Sequence, residues 1–124
     1  MTLRLKDREQ QAWLDKMTGG LFTEALKTFM EDAEQIEFQI NERAILTIKR
    51  DEVENVGEYD PDFWNVYPEV TPPEGLPMRV ECQGFYRTLR TCLVFKKGAW
   101  HYESGVPFKG YETALQVRRY RPWV

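Results

Sequence analysis

Residues 78–124 read MRVECQGFYRTLRTCLVFKKGAWHYESGVPFKGYETALQVRRYRPWV, a stretch in which apolar and aromatic side chains return at strand spacing. Met78, Val80 and Cys82 fall on one face before a turn at Gln83-Gly84, and Leu89, Thr91, Leu93 and Phe95 share one face of a longer run. Lys97-Gly98 then turns the chain into Trp100–Glu103, and a linker from Ser104 to Gly110 leads to a last strand at about Thr113 to Arg121. Successive side chains of a strand point to opposite faces, so this alternation predicts an antiparallel β-meander with one aromatic-lined face.

Upstream of Met78 the pattern changes three times. Ala12, Trp13 and Met17 among charges and glutamines predict a short helix over about Lys6 to Met17, ended by Gly19-Gly20. Leu21, Phe22, Ala25, Leu26, Phe29, Met30 and Ala33 recur with the period of a second helix that has one wide buried face. From Ile36 the period falls to that of strands. Ile36, Phe38 and Ile40 share one face, as do Ala44, Leu46 and Ile48 after a turn at Asn41-Glu42, which predicts a β-hairpin.

Residues 51–77 break the pattern, because Pro61, Pro68, Pro72, Pro73 and Pro77 remove ladder donors and Gly57 and Gly75 interrupt regular structure. The reading is an α+β fold with two N-terminal helices packed on a mainly antiparallel sheet of about five to six strands. One domain covers residues 1–124: helical over 1–34, a hairpin over 36–50, an acidic proline-rich loop over 51–77 and the meander over 78–124.

With 42% hydrophobic and 30% charged residues among 124, the chain lies well inside the globular range and needs neither a disulfide nor a metal to build a core. Cys82 and Cys92 are too few for a secreted disulfide framework and read as reduced thiols in strands. No apolar run is long enough to span a bilayer and the N-terminus lacks a hydrophobic signal core, so a cytoplasmic protein without a membrane association is expected.

The net charge of −3 is unevenly spread. Residues 1–50 carry eight Lys/Arg against nine Asp/Glu, residues 51–77 none against eight, and residues 78–124 nine against three. An acidic middle therefore precedes a basic C-terminal half.

No residue set points to a reaction. His101, the one histidine, lies with Cys82 and Cys92 on separate strands without the paired spacing of a metal site or a nucleophile–base arrangement. Asp51, Glu52, Glu54, Glu58, Asp60 and Asp62 lack calcium-loop spacing and read as a solvated acidic surface. Gly19-Gly20 lacks the remaining residues of a phosphate loop and reads as a helix break. Neither a cofactor nor a metal is expected.

Two binding surfaces suggest themselves. Phe63, Trp64 and Tyr67 with Asp60 and Asp62 lie on the proline-framed loop, where aromatic anchors would serve a protein partner. Arg118, Arg119, Arg121 and Trp123, with Arg87 and Arg90, are of the type that contacts phosphates and stacks on bases. Arg118 and Arg119 face opposite ways in a regular strand, so they make one patch only if a bulge re-aims them.

Pro72-Pro73-Glu74-Gly75 precedes Met78-Arg79-Val80-Glu81; Phe95-Lys96-Lys97-Gly98-Ala99-Trp100 follows, and Val117 leads to Tyr120-Arg121-Pro122-Trp123. In these features the half from Pro72 to Trp123 resembles a small domain family of bacteriophages and prophages. That resemblance implies a short β-rich fold and a phage or mobile-element setting, carries no activity or catalytic residue, and leaves residues 1–71 unmatched. The expected function is that of a small non-catalytic accessory protein that binds a protein partner through the acidic aromatic loop. The alternatives are a nucleic-acid-binding module and a small enzyme built on carboxylates or His101.

Overall fold

A computed structural model of the chain describes residues 3–22, 26, 30, 33–109 and 115–123. The first strand, β1 (Leu3–Leu5), buries both leucines and is followed by the helix α1 (Arg8–Thr18). Asp7 caps that helix, its Oδ1 accepting from the backbone N–H groups of Glu9 at 3.0 Å and Gln10 at 3.1 Å. Gly19 ends it in the left-handed region at φ 64°, which glycine enters without steric cost. Leu14 is its buried residue, whereas Trp13 and Met17 of the expected apolar stripe are exposed.

Strands β2 (Gln35–Asn41) and β3 (Ala44–Lys49) form a hairpin that stands as its own two-stranded sheet. A short 3₁₀ turn, Arg50–Glu52, leads into β4 (Val53–Asn55); β5 (Trp64–Val66), β6 (Pro77–Gln83), β7 (Thr88–Lys96), β8 (Ala99–His101) and β9 (Gln116–Pro122) follow. With β1 these build a seven-stranded sheet in the order β1-β4-β5-β9-β6-β7-β8, antiparallel except for the β4–β5 pair.

The expected architecture of two helices on a five- to six-stranded sheet is corrected to one continuously described helix, a seven-stranded sheet and a separate two-stranded one, with Leu21, Phe22, Leu26 and Met30 the described helical residues outside α1. The second expected helix, over Leu21 to Ala33, falls largely outside the described residues, although Phe22, Leu26 and Met30 from its stripe are buried. The C-terminal half is not a simple meander either. After β8 the chain returns so that β9 lies between β5 and β6, joining the N-terminal strands to the C-terminal ones.

Residues 51–77 are also not a loop beside the sheet, because β4 and β5 come from them and lie inside it. Two buried asparagines explain how so irregular a segment enters. Asn65 Nδ2 donates to the carbonyls of Asp60 and Phe63, each at 2.9 Å, and its Oδ1 accepts from Asp60 N at 2.9 Å and from Asn55 Nδ2 at 2.7 Å. Asn55 also donates to Glu58 O and accepts from Gly57 N. The polar backbone between β4 and β5 is thereby paired without a ladder, which buried peptide groups require.

Two apolar clusters result. Leu3, Leu5, Leu14, Phe22, Leu26, Met30, Ile48, Val53 and Phe63 form one, and Val70, Met78, Val80, Cys82, Leu93, Phe95, Trp100, Leu115 and Tyr120 the other. In the second, the Trp100 ring packs against Phe95 at 5.1 Å, Tyr120 at 5.5 Å and Tyr67 at 5.6 Å between centroids. Each such large side chain removed from water contributes about 1.5–3 kcal/mol. Lys97 and Gly98 both take positive φ, 51° and 75°, giving β7 and β8 the two-residue turn whose twist matches their own.

Candidate functional site

The aromatic residues expected to face a partner lie inside the molecule. Phe63 is 3% exposed and Trp64 2%. The Arg50 guanidinium covers the Phe63 ring 4.4 Å from its centroid and donates to the Asp62 carbonyl at 2.6 Å. Tyr67 is half-buried, its ring against Phe95 and Trp100. Asp60 Oδ1 accepts from Asp62 N at 2.9 Å, tightening the turn before β5, while Asp62 itself is exposed. Of the five residues assigned to a protein partner, the structure therefore withdraws Phe63 and Trp64 from the surface. Strand pairing at β4 and β5 draws them inward.

Trp64 is enclosed by cations. Arg119 lies 4.5 Å from its ring centroid, Arg90 5.3 Å and Arg121 5.9 Å, and the indole Nε1 donates to Asp51 Oδ1 at 2.9 Å. The β6–β7 and β6–β9 registers place Arg119, Glu81 and Arg90 in one cross-strand row. Arg119 donates to Glu81 Oε2 at 3.0 Å and to the Asp51 carbonyl at 2.7 Å, and lies 3.5 Å from Glu54 Oε1. Arg90 bridges Glu81 at 3.0 Å and Asp51 at 2.9 Å, and Lys6 stands 3.6 Å from Glu81.

Burial alone would push the Glu81 carboxyl up, but hydrogen bonds from Arg119 and Arg90 and the charges of Arg119 and Lys6 hold it below its ordinary value. Partial burial of Asp51 is outweighed in the same way by Arg90, Arg119 and Trp64. This cluster is an internal support. Arg119, Glu81 and Glu54 are almost wholly buried, with the guanidinium between the two carboxyl groups.

Neither thiol is activated. Burial, then the charge of Glu81, pushes Cys82 up to about 11; burial and the hydrogen bond to Glu103 push Cys92 up to about 11. The Cys92 thiol donates to Glu103 Oε1 at 3.2 Å, and His101 Nδ1 lies 3.1 Å from the Ala99 carbonyl. Among the described residues no three His, Cys, Asp or Glu side chains are grouped to hold a metal ion.

Of the five arginines assigned to nucleic acid, Arg119 and Arg90 are committed to this cluster and Arg121 is half-buried over Trp64. Arg87 and Arg118 are exposed, as is Arg90 despite its ion pairs. Between the Glu81–Arg119 and Cys82–Val117 pairs the β6–β9 ladder skips Arg118, a bulge that re-aims its side chain. Its guanidinium donates to Gln83 Oε1 at 3.0 Å, at the start of the β6–β7 turn.

That turn carries what sequence reasoning passed over. Gly84 N donates to the Arg87 carbonyl at 2.9 Å, which closes the turn Gly84-Phe85-Tyr86-Arg87 tightly. Phe85 is 87% exposed and Tyr86 fully so; their centroids lie 6.5 Å apart. Beside them opens a cleft of about 650 Å³ lined by Tyr67, Gln83, Phe85, Gln116, Val117 and Arg118. Adjacent aromatics at a turn, out of step with both flanking strands, were the available signal.

Comparison with family models, with curated proteins and with solved structures returns no match to this chain. Among the described residues, no helix is long and apolar enough to cross a membrane.

Proposed function

We propose that the chain is a small non-catalytic binding protein whose contact surface is the β6–β7 turn and the cleft beside it. The observation that carries this is the pair Phe85 and Tyr86, two rings exposed in direct sequence and packed on little but each other. Leaving such apolar surface in water is unfavourable, and aromatic anchors of this kind supply most of the affinity where proteins bind. The acidic segment 51–77 has a different part in this reading: it inserts two strands into the sheet, and its Asp51 joins the charges beneath Trp64. A cytoplasmic setting accords with the two free thiols, which stand on opposite faces of neighbouring strands. A phage or prophage setting rests on the resemblance of the C-terminal half.

The test is a comparison of the native chain with a Phe85→Ser, Tyr86→Ser variant. Both positions are exposed, so the unfolding free energy should change by no more than about 0.5 kcal/mol per site. Immobilised native protein should retain from host extract a protein or nucleic acid that the variant does not. Equal retention of the same species by both would overturn the reading.

A further inference from the structure

Resting on that contact surface, we infer that its ligand is single-stranded nucleic acid. The cleft beside Phe85 is lined, among the described residues, by Arg118, two glutamines and aromatic or apolar side chains, with no carboxylate, in a chain that holds 20 Asp and Glu among 124 residues. On the other side of the hairpin, a second cleft of about 450 Å³ brings Arg87 and Lys109 beside Tyr102 and Phe108, again without a carboxylate among its described lining. The tip is thus a pair of free rings flanked on both sides by cations. Single strands are held by this combination, since bases stack on aromatic faces without regard to sequence while Arg and Lys follow the phosphates.

Three details favour this ligand over an acidic protein segment. Gln83 and Gln116 pair across β6 and β9 in the cleft lining; Gln83 Oε1 accepts from Arg118, and the amide groups of the two glutamines are of the kind that meets base edges. Rings standing free at a turn tip can enter a base stack. Among the described lining residues, carboxylates return past Arg118, where Asp7, Glu52 and Glu81 stand with Lys6 in a neighbouring cleft. That acidic boundary sets the path of a backbone across Phe85 and Tyr86, between Arg118 and Arg87.

Fluorescence anisotropy of the full chain with labelled oligothymidine and oligouridine, against a duplex of matched length, tests this. Single strands should bind at low salt and better than the duplex. Two or three neutralised phosphates predict a logarithmic salt slope of about −1.4 to −2. The Phe85→Ser, Tyr86→Ser variant should bind about tenfold to a hundredfold more weakly, as loss of one or two stacking rings implies. An Arg87→Glu, Arg118→Glu variant should weaken binding and flatten the salt slope. Absence of single-strand binding at low salt, or binding that both variants keep, would overturn the inference. If single strands are not bound while a host protein is captured by the native chain and lost from the serine variant, the ligand is wrong but the contact surface stands. If that capture is also unaffected, both fail.

Discussion

The guanidinium of Arg119 and the carboxylate of Glu81 meet at 3.0 Å across the β6–β9 ladder, each with almost no surface in contact with solvent. Glu54 lies on the other side of the same guanidinium, so one buried cation faces two buried carboxylates. Arg90 and Lys6 reach Glu81 from the solvent side. The Trp64 ring covers the Arg119 guanidinium from above. The sheet's centre is therefore held by charge as well as by apolar packing.

Removing Arg119 takes from Glu54 the guanidinium it faces and leaves Glu81 with Arg90 and Lys6 on its solvent side alone. Arg119→Met should cost about 3–5 kcal/mol of unfolding free energy, the cost of breaking a buried ion pair from one side. Arg118→Met, at the exposed neighbouring position, should cost less than about 0.5 kcal/mol. Urea denaturation of the two variants checks the contrast, and equal effects would contradict the placement of the strand.

Acid should weaken the fold through the same carboxylates. Glu81 and Asp51 hold values below those of the unfolded chain, where carboxylates titrate near about 4. Between the folded and unfolded values the unfolded chain binds more protons, so stability rises with pH in that window. The contribution is complete above about pH 5 and is lost as pH falls through the folded-state values. Urea midpoints measured from neutral to acid pH should drop on this limb, and Glu81→Gln should differ most from the native chain at neutral pH and least in acid.

Trp64 should behave as a core residue. Trp64→Ala should destabilise by about 3–5 kcal/mol through the cavity it leaves and the donor lost from Asp51. Trp123→Ala, at an exposed ring near Arg79, should change stability by less than about 1 kcal/mol. Thermal unfolding by circular dichroism separates the two, and a mild Trp64→Ala variant would refute the packing of β5.

Alkylation of the native chain should be slow at both thiols. Moving a thiol from its ordinary value to about 11 lowers its thiolate fraction at neutral pH by about a hundredfold. Glu103→Gln removes the charge that opposes ionisation of Cys92, so it should speed modification there several-fold and leave Cys82 unchanged. Iodoacetamide labelling followed by peptide mass spectrometry reads each site.

Much of the strand pattern was legible because its causes are local. Lys97-Gly98 admits positive φ and so marks the β7–β8 turn, and the alternation from Met78 to Cys82 announces β6. Strands β1, β4 and β5 were not legible, since three residues carry no period and the proline-rich surroundings of β5 speak against a ladder. The candidate site was legible in part. Arg87 and Arg118 were among the candidate cations and are exposed, whereas Phe85 and Tyr86 were overlooked because a turn tip breaks alternation.

The amino-acid order alone determined the alternation of the β2–β3 hairpin, whose turn falls at Glu42-Arg43 beside the expected Asn41-Glu42, the helix over Arg8–Thr18 to within a residue or two, and the division into an acidic middle and a basic end. Which charges face water and which are sealed inside was decided by the tertiary structure. Arg119 lies 65 positions from Glu54 and 38 from Glu81, and burying any one of them is unfavourable until the others arrive. Turn and helix preferences act within a few residues along the chain. Desolvation of charge is compensated only by partners brought together through folding, which is why identical arginines at 118 and 119 have opposite fates.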